Sequence, residues 1–155
     1  MNAIRLLSGL ALTASVGLAF AAGLLPASDL AAEARQSASH GQALVVLYSR
    51  PDCKFCEVVR NHYLRHLPKD PERAGIVVRQ IDQGGSSSVR DFKGKLRTHA
   101  EIAAEEKIKL VPVVAFYGPT GETLAPPIIG AGIADYYQSY LDEALDKSAR
   151  QLKGR

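Results

Sequence analysis

Apolar residues follow two patterns along the chain, and the order of these patterns predicts its elements. Three short runs rich in apolar and β-branched residues predict strands at 43–48, 76–81 and 113–117, and the first of them is expected to be covered on both faces of a sheet. Apolar residues at helical spacing predict helices that start near residues 53, 98 and 133. A turn at 118–121 begins a hairpin, whose second, antiparallel strand starts at 122–124. The predicted order is β-α-β-α-β-β-α, an α/β arrangement.

Two further segments are less regular. Residues 86–97 fit a loop or a short helix, whereas Thr98 and Glu101 have the spacing of a capping box at the start of the second helix. Residues 29–40 are rich in alanine and polar side chains and fit a short helix or a linker.

The first 25 residues differ from the rest. Arg5 supplies positive charge, and residues 6–25 contain no charged side chain, which is typical of an export signal. Small residues allow cleavage after Ala21 or after Ala34, and the alternative is an uncleaved membrane anchor. We therefore predict a signal peptide or N-terminal membrane anchor at 1–34, a linker at 35–41, one domain at 42–149 and a flexible tail at 150–155.

Composition and charge exclude several classes of protein. The chain has 155 residues, of which 46% are hydrophobic and 23% charged, values typical of a globular domain rather than a disordered or collagen-like chain. The formal net charge is only +3, and basic residues alternate with acidic ones. Because no continuous cationic stripe results, we do not expect nucleic acid as a partner.

The only two cysteines, Cys53 and Cys56, lie at the start of the first predicted helix, directly after a strand and a turn. Two thiols at this spacing are close enough to form a disulfide. The unpaired N–H groups of a helix start favour the thiolate form of the first cysteine, and Lys54 adds positive charge nearby. We therefore predict that Cys53 is the attacking nucleophile and that Cys56 is the resolving thiol.

Two alternatives remain for this pair. A structural disulfide that closes so short a loop would stabilise little. A zinc or copper site would need more ligands, which His62 and His66, four residues apart on the same predicted helix, could supply. Isolated helical histidines are more often surface residues, so we predict no resident metal and no other cofactor.

From about residue 42 to residue 145 the chain resembles the thioredoxin-like superfamily, particularly its exported bacterial members. The resemblance rests on Cys53-Lys54-Phe55-Cys56 after the first strand, Val111-Pro112 before the third strand and the hairpin at 116–121. It implies a thioredoxin-like three-layer fold, a central mixed sheet of about four strands flanked by helices. It also implies a cis bond between Val111 and Pro112, next to which the exposed backbone of Val111 would pair with a substrate strand. We expect Lys54 and Phe55, between the two cysteines, to be auxiliary site residues.

Some positions depart from this family. Asp52 and not tryptophan precedes Cys53, and the chain has no tryptophan at all. Leu47 stands where the family has a buried aspartate that accepts the proton of the resolving thiol, so Glu57 or water would have to serve. Val113 follows the proline in place of the common threonine.

The expected function is a periplasmic thiol-disulfide oxidoreductase of the protein-disulfide reductase type. It would reduce or exchange disulfides of exported proteins and be recharged by a membrane electron donor, because an oxidising compartment would otherwise keep the pair closed. The alternatives are a disulfide oxidant or isomerase, a copper- or zinc-binding metallochaperone with the same fold, and a structural adaptor with an inert disulfide.

Overall fold

The strands form one mixed sheet whose centre is apolar on both faces. The structure, a computed structural model, describes residues 23–154, so the predicted leader lies outside the described residues as far as residue 22. The sheet has the order β2-β1-β5-β6, with these bounds: β1 Leu44–Ser49, β2 Val77–Asp82, β5 Val113–Tyr117 and β6 Thr123–Ile129. β1 is parallel to β2 and antiparallel to β5, which is antiparallel to β6. The predicted mixed four-stranded sheet is confirmed.

Alternate residues of β1 point into two separate cores. Val45 and Leu47 pack with the helix that follows Cys53 and with the C-terminal helix α4 (Ala134–Lys153). Leu44, Val46 and Tyr48 face the other side, where helices α1 (Leu30–Ala38) and α3 (His99–Glu105) lie. Because side chains alternate along a strand, one buried run supplies both cores. The result is the three-layer thioredoxin-like arrangement that was predicted.

The helix that follows Cys53 changes type along its length. It is α-helical at α2 (Lys54–Val58), π-helical at Val59–Tyr63 and 3-10-helical at Leu64–Lys69. Pro68 lies within the last stretch; it has no N–H to donate, and its ring would clash with a carbonyl one α-helical turn earlier. The predicted helix is therefore present but is not one regular α-helix.

Of the two readings of residues 29–40, the short helix is confirmed and the linker at 35–41 is wrong, because α1 extends over Leu30–Ala38. Asp29 caps this helix by accepting a hydrogen bond from the N–H of Ala32 at 2.9 Å, and Leu30 and Ala34 are buried against the sheet. Just before it, the chain runs beside β2: Gln80 donates its N–H to the Leu25 carbonyl and accepts from the N–H of Ala27, both at 2.9 Å. The packed unit therefore begins before the predicted boundary at residue 42.

Residues 86–97, expected to be a loop or short helix, instead form most of a hairpin. Its strands are β3 (Ser88–Arg90) and β4 (Leu96–Thr98), which pair antiparallel. The Asp91 carboxylate holds the turn by accepting hydrogen bonds from the N–H groups of Lys93 and Lys95 at 2.9 and 2.8 Å. The predicted capping box of Thr98 and Glu101 at the start of α3 is confirmed.

The C-terminal tail predicted to be flexible from residue 150 is helical as far as Lys153. Leu152 lies partly buried against the core, which keeps the last turn of α4 attached. Among the helices of residues 23–154, none has the length and apolarity needed to cross a membrane.

Candidate active site: a disulfide at a helix start

The cysteine pair is placed by a turn that links β1 to α2. Asp52 adopts a left-handed conformation (φ 58°), which aspartate tolerates better than most residues, and it turns the chain into the helix. Cys53 is the N-cap of α2, and its Sγ accepts a hydrogen bond from the N–H of Cys56 at 3.2 Å. The two cysteines are joined by a disulfide, with their Cα atoms 5.2 Å apart. The predicted position of the pair at a helix start is confirmed.

The two sulfur-bearing residues differ in their access to solvent. Cys53 is partly exposed, whereas Cys56 is fully buried. Lys54 and Phe55 lie between them on the surface, and Phe55 is 67% exposed. A disulfide partner can therefore reach Cys53 but not Cys56.

Val111 and Pro112 lie at the same end of the sheet as the disulfide. The bond between them is cis. Because Tyr48 pairs with Val113 in antiparallel register, the end of β1 that leads to Cys53 lies beside the start of β5. Pro112 is buried and its carbonyl accepts a hydrogen bond from Gly130 at 2.8 Å, whereas Val111 is half-buried. The structure thus brings the two predicted site segments to the same end of the sheet.

A polar pocket of about 160 Å³ opens beside Cys53. It is lined by the 50–53 turn and by side chains from the following helix and from β2: Glu57, Arg60, Gln80 and Asp82. Cys53 therefore borders a small space lined by charged side chains of both signs.

Arg60 is fixed across this pocket by two hydrogen bonds to the sheet. Its Nε donates to Oε1 of Gln80 at 2.8 Å, and its Nη2 donates to Oγ of Ser49 at 3.0 Å. The Gln80 amide in turn donates to Oδ1 of Asp82 at 2.8 Å. The sequence analysis did not identify this network; the signal that could have found Arg60 is its helical spacing, four residues after Cys56.

Leu47, at the position where the resemblance places an aspartate, is buried and pairs in register with Gln80. Glu57, the expected substitute, is exposed at the rim of the pocket, whereas Asp82 is half-buried within it. The carboxylates that line the pocket beside Cys53 thus come from the preceding turn (Asp52), from the helix (Glu57) and from the end of β2 (Asp82), and not from β1.

The histidines proposed as metal ligands lie on the surface. His62 and His66 are exposed, and Nε2 of His66 is 3.1 Å from the backbone carbonyl of Asn61. Within residues 23–154 no three histidine, cysteine, aspartate or glutamate side chains are grouped so as to hold a metal ion.

The family model of the thioredoxin-like domain matches residues 30–145, which include α1, the disulfide and Pro112. The chain belongs to the thioredoxin-like family. No curated protein matches the sequence. Membership of the family, together with the disulfide-bonded pair, supports thiol-disulfide oxidoreductase chemistry in general.

Solved structures share the fold of this family member at low sequence identity. A DsbH oxidoreductase is 17% identical with a TM-score of 0.53, over 90% of this chain and 95% of that one. A thioredoxin-fold protein from Helicobacter pylori is 15% identical with a TM-score of 0.52, over 74% and 82%. Oxidised mitochondrial thioredoxin 3 from Saccharomyces cerevisiae is also 15% identical with a TM-score of 0.52, over 79% and 93%. At these identities the likeness shows the fold alone.

Proposed function

We propose that this protein is a periplasmic thiol-disulfide oxidoreductase that reduces or exchanges disulfides of exported proteins. The observation that carries the proposal is the asymmetry of the pair, in which the sulfur of Cys53 is accessible at a helix start and that of Cys56 is buried. An inert structural disulfide would not need one accessible sulfur, and a bridge across so few residues would add little stability.

The reaction begins with the reduced pair and proceeds by two thiolate attacks. The Cys53 thiolate, whose sulfur accepts the N–H of Cys56, attacks one sulfur of a substrate disulfide, and the other sulfur leaves with the electron pair of the broken bond. Cys56 then loses its proton and attacks the Cys53 sulfur, which closes the enzyme disulfide and releases the second substrate sulfur as a thiolate. The substrate gains two electrons; the proton lost by Cys56 and one proton from water convert its two thiolates to thiols, and a dithiol donor must reduce the enzyme again.

A folded or unfolded polypeptide is the proposed substrate because apolar side chains are exposed in the segments around the pair. Phe55 lies between the cysteines, Leu110 precedes the cis bond, and Ile129 and Ile133 flank the Gly130 turn; each is at least 65% exposed. Single exposed apolar residues are ordinary, but several at one end of a sheet are typical of a protein-binding surface. Val111 would offer its backbone to an extended substrate segment.

The proposed location follows from the apolar leader of the sequence and from redox balance. In an oxidising compartment a disulfide reductase closes its own pair at each turnover, so it needs a source of electrons. We propose that a membrane-bound thiol-disulfide donor supplies them, and that an uncleaved leader would keep the enzyme near that donor.

Cysteine variants test the reaction directly. Cys56→Ser should accumulate a mixed disulfide between Cys53 and exported proteins, because the resolving thiol is missing. Cys53→Ser, the matched control, should trap nothing, since its remaining thiol is buried. Each variant is expressed and exported in the native host, and the trapped species are detected on non-reducing gels and identified by mass spectrometry. Equal trapping by both variants would contradict the assigned roles.

The redox equilibrium of the Cys53–Cys56 pair decides whether the enzyme reduces or oxidises its substrates. The fraction of Cys53–Cys56 disulfide is measured across a glutathione series by alkylation and mass spectrometry. A potential near the thioredoxin value of about −270 mV supports a donor-fed reductase, whereas one near about −120 mV makes the protein an oxidant. A pair that stays closed across the whole series would refute the enzyme proposal.

A further inference from the structure

The pocket beside Cys53 contains one cation whose position is set by the fold. Arg60 is half-buried, and its guanidinium is tied to the central strand β1 through Ser49 and to the edge strand β2 through Gln80. Both partners are neutral. Among residues 23–154 none of the ion pairs includes Arg60, so no carboxylate neutralises its charge by direct contact.

The other charges around Cys53 are either more exposed or already engaged. The exposed ones are Arg50, Asp52, Lys54 and Glu57, which water and salt screen. Asp82 is half-buried and opposes Arg60 in sign, but its Oδ1 accepts the Gln80 amide, which lies between the two charged groups. Leu47, the neighbour of Gln80 on β1, brings no charge.

We propose that Arg60 is a positioning residue that stabilises the Cys53 thiolate and thereby makes the Cys53–Cys56 disulfide easier to reduce. This inference rests on the proposed function, because it concerns the redox cycle of the same pair. When the disulfide takes up two electrons, the Cys53 sulfur carries negative charge, and Cys56 takes up a proton from water. A fixed cation across the pocket lowers the free energy of this reduced state but not that of the neutral disulfide.

Because Arg60 favours the reduced state, the reduction potential of the Cys53–Cys56 pair is higher than it would be without Arg60. The pair is therefore better suited to exchanging or forming substrate disulfides than it would otherwise be. Ser49 and Gln80 hold the charge in place, so their hydrogen bonds are part of the effect. The same residues would not alter a purely structural disulfide, whose cysteines do not ionise during function.

The test compares Arg60→Met with Arg65→Met. Arg65 is exposed on the same helical segment and does not line the pocket, so it is the matched control. In Arg60→Met the pKa of Cys53 should rise by about one unit. The equilibrium constant of the pair with glutathione should shift by up to about tenfold toward the Cys53–Cys56 disulfide. This shift corresponds to a reduction potential that is lower by about 30 mV. Arg65→Met should change neither quantity.

The Cys53 pKa is measured from the pH dependence of alkylation by iodoacetamide, with the labelled residue identified by mass spectrometry. Gln80→Glu supplies a second variant if Arg60→Met does not fold. A carboxylate beside the Arg60 guanidinium would neutralise its charge, so the Cys53 pKa should again rise and the equilibrium with glutathione should again shift toward the disulfide. Asp82→Asn should shift them in the opposite direction.

The outcomes separate this inference from the function beneath it. If the wild-type pair cycles but Arg60→Met and Gln80→Glu keep the wild-type pKa and equilibrium, the role of Arg60 is refuted and the oxidoreductase stands. If the wild-type pair does not cycle at all, the proposed function fails, and the inference falls with it.

Discussion

The ion pair between Glu33 and Arg79 provides a quantitative test of whether residues 23–41 belong to the folded domain. Oε1 of Glu33 lies 2.8 Å from Nε of Arg79 and also accepts hydrogen bonds from Oγ and N–H of Ser28. The two side chains are only 8% and 19% exposed. This pair joins α1 to β2. The Glu33→Ala substitution removes the negative charge that compensates the largely buried guanidinium of Arg79.

The expected loss follows from this burial. Removing one partner of a buried ion pair costs about 3–5 kcal/mol, and the partial exposure of Arg79 places Glu33→Ala at about 3 kcal/mol. Glu105→Ala is the matched control, because Glu105 is also helical and lies 3.0 Å from Arg97 but is 52% exposed. Pairs of that kind contribute at most about 1 kcal/mol.

The assay is urea unfolding of the oxidised proteins, followed by far-ultraviolet circular dichroism because the chain has no tryptophan. At a slope of about 1.5 kcal/mol/M, a loss of about 3 kcal/mol lowers the midpoint by about 2 M. Adding Arg79→Met to Glu33→Ala should recover part of the loss, since the uncompensated charge is then removed. If Glu33→Ala costs no more than Glu105→Ala, α1 is not an integral part of the domain and the reasoning is refuted.

Three further predictions follow from other buried contacts. Burial raises the pKa of Tyr48, Tyr117 and Tyr137, so they ionise more easily when unfolded. Stability should be unaffected by them below about pH 10 and fall above it, as urea unfolding at pH 9 to 11 would show; a flat profile would contradict this. Tyr137→Phe should stabilise the protein by about 1 kcal/mol in the same assay, because the buried hydroxyl of Tyr137 has no partner among residues 23–154; a loss of stability would indicate a missing contact. If the leader is cleaved, mass spectrometry of the exported protein should find the cut after Ala21 and not after Ala34, since the latter would split α1 and remove the chain that pairs with Gln80.

Particular residues show how far sequence reasoning reached. The central strands β1 and β5 were found because a strand buried on both faces is apolar along nearly its whole length, as at 44–48 and 113–117, whatever its neighbours are. The cysteine pair was found because its chemistry depends on local spacing at a helix start, and the capping box because both of its bonds lie within four residues. The hairpin at 88–98 was missed because its strands are only three residues long and β3 is also held by distant residues, with Val89 buried and the Arg90 N–H donating to the Ser28 carbonyl. The helical tail was missed because Leu152 packs against a core built by distant residues.

Local pattern alone thus located the four strands of the main sheet, the helices between and after them and the cysteine pair at a helix start, whereas the thioredoxin-like arrangement of the sheet came from the resemblance. Tertiary structure decided the rest. That α1 is part of the domain depends on Glu33 reaching Arg79, 46 positions later. That Arg60 lines the pocket beside Cys53 depends on its hydrogen bond to Gln80, which lies on β2, 20 positions later. Such contacts join positions far apart in the chain, and their energy depends on the burial that only the complete fold creates.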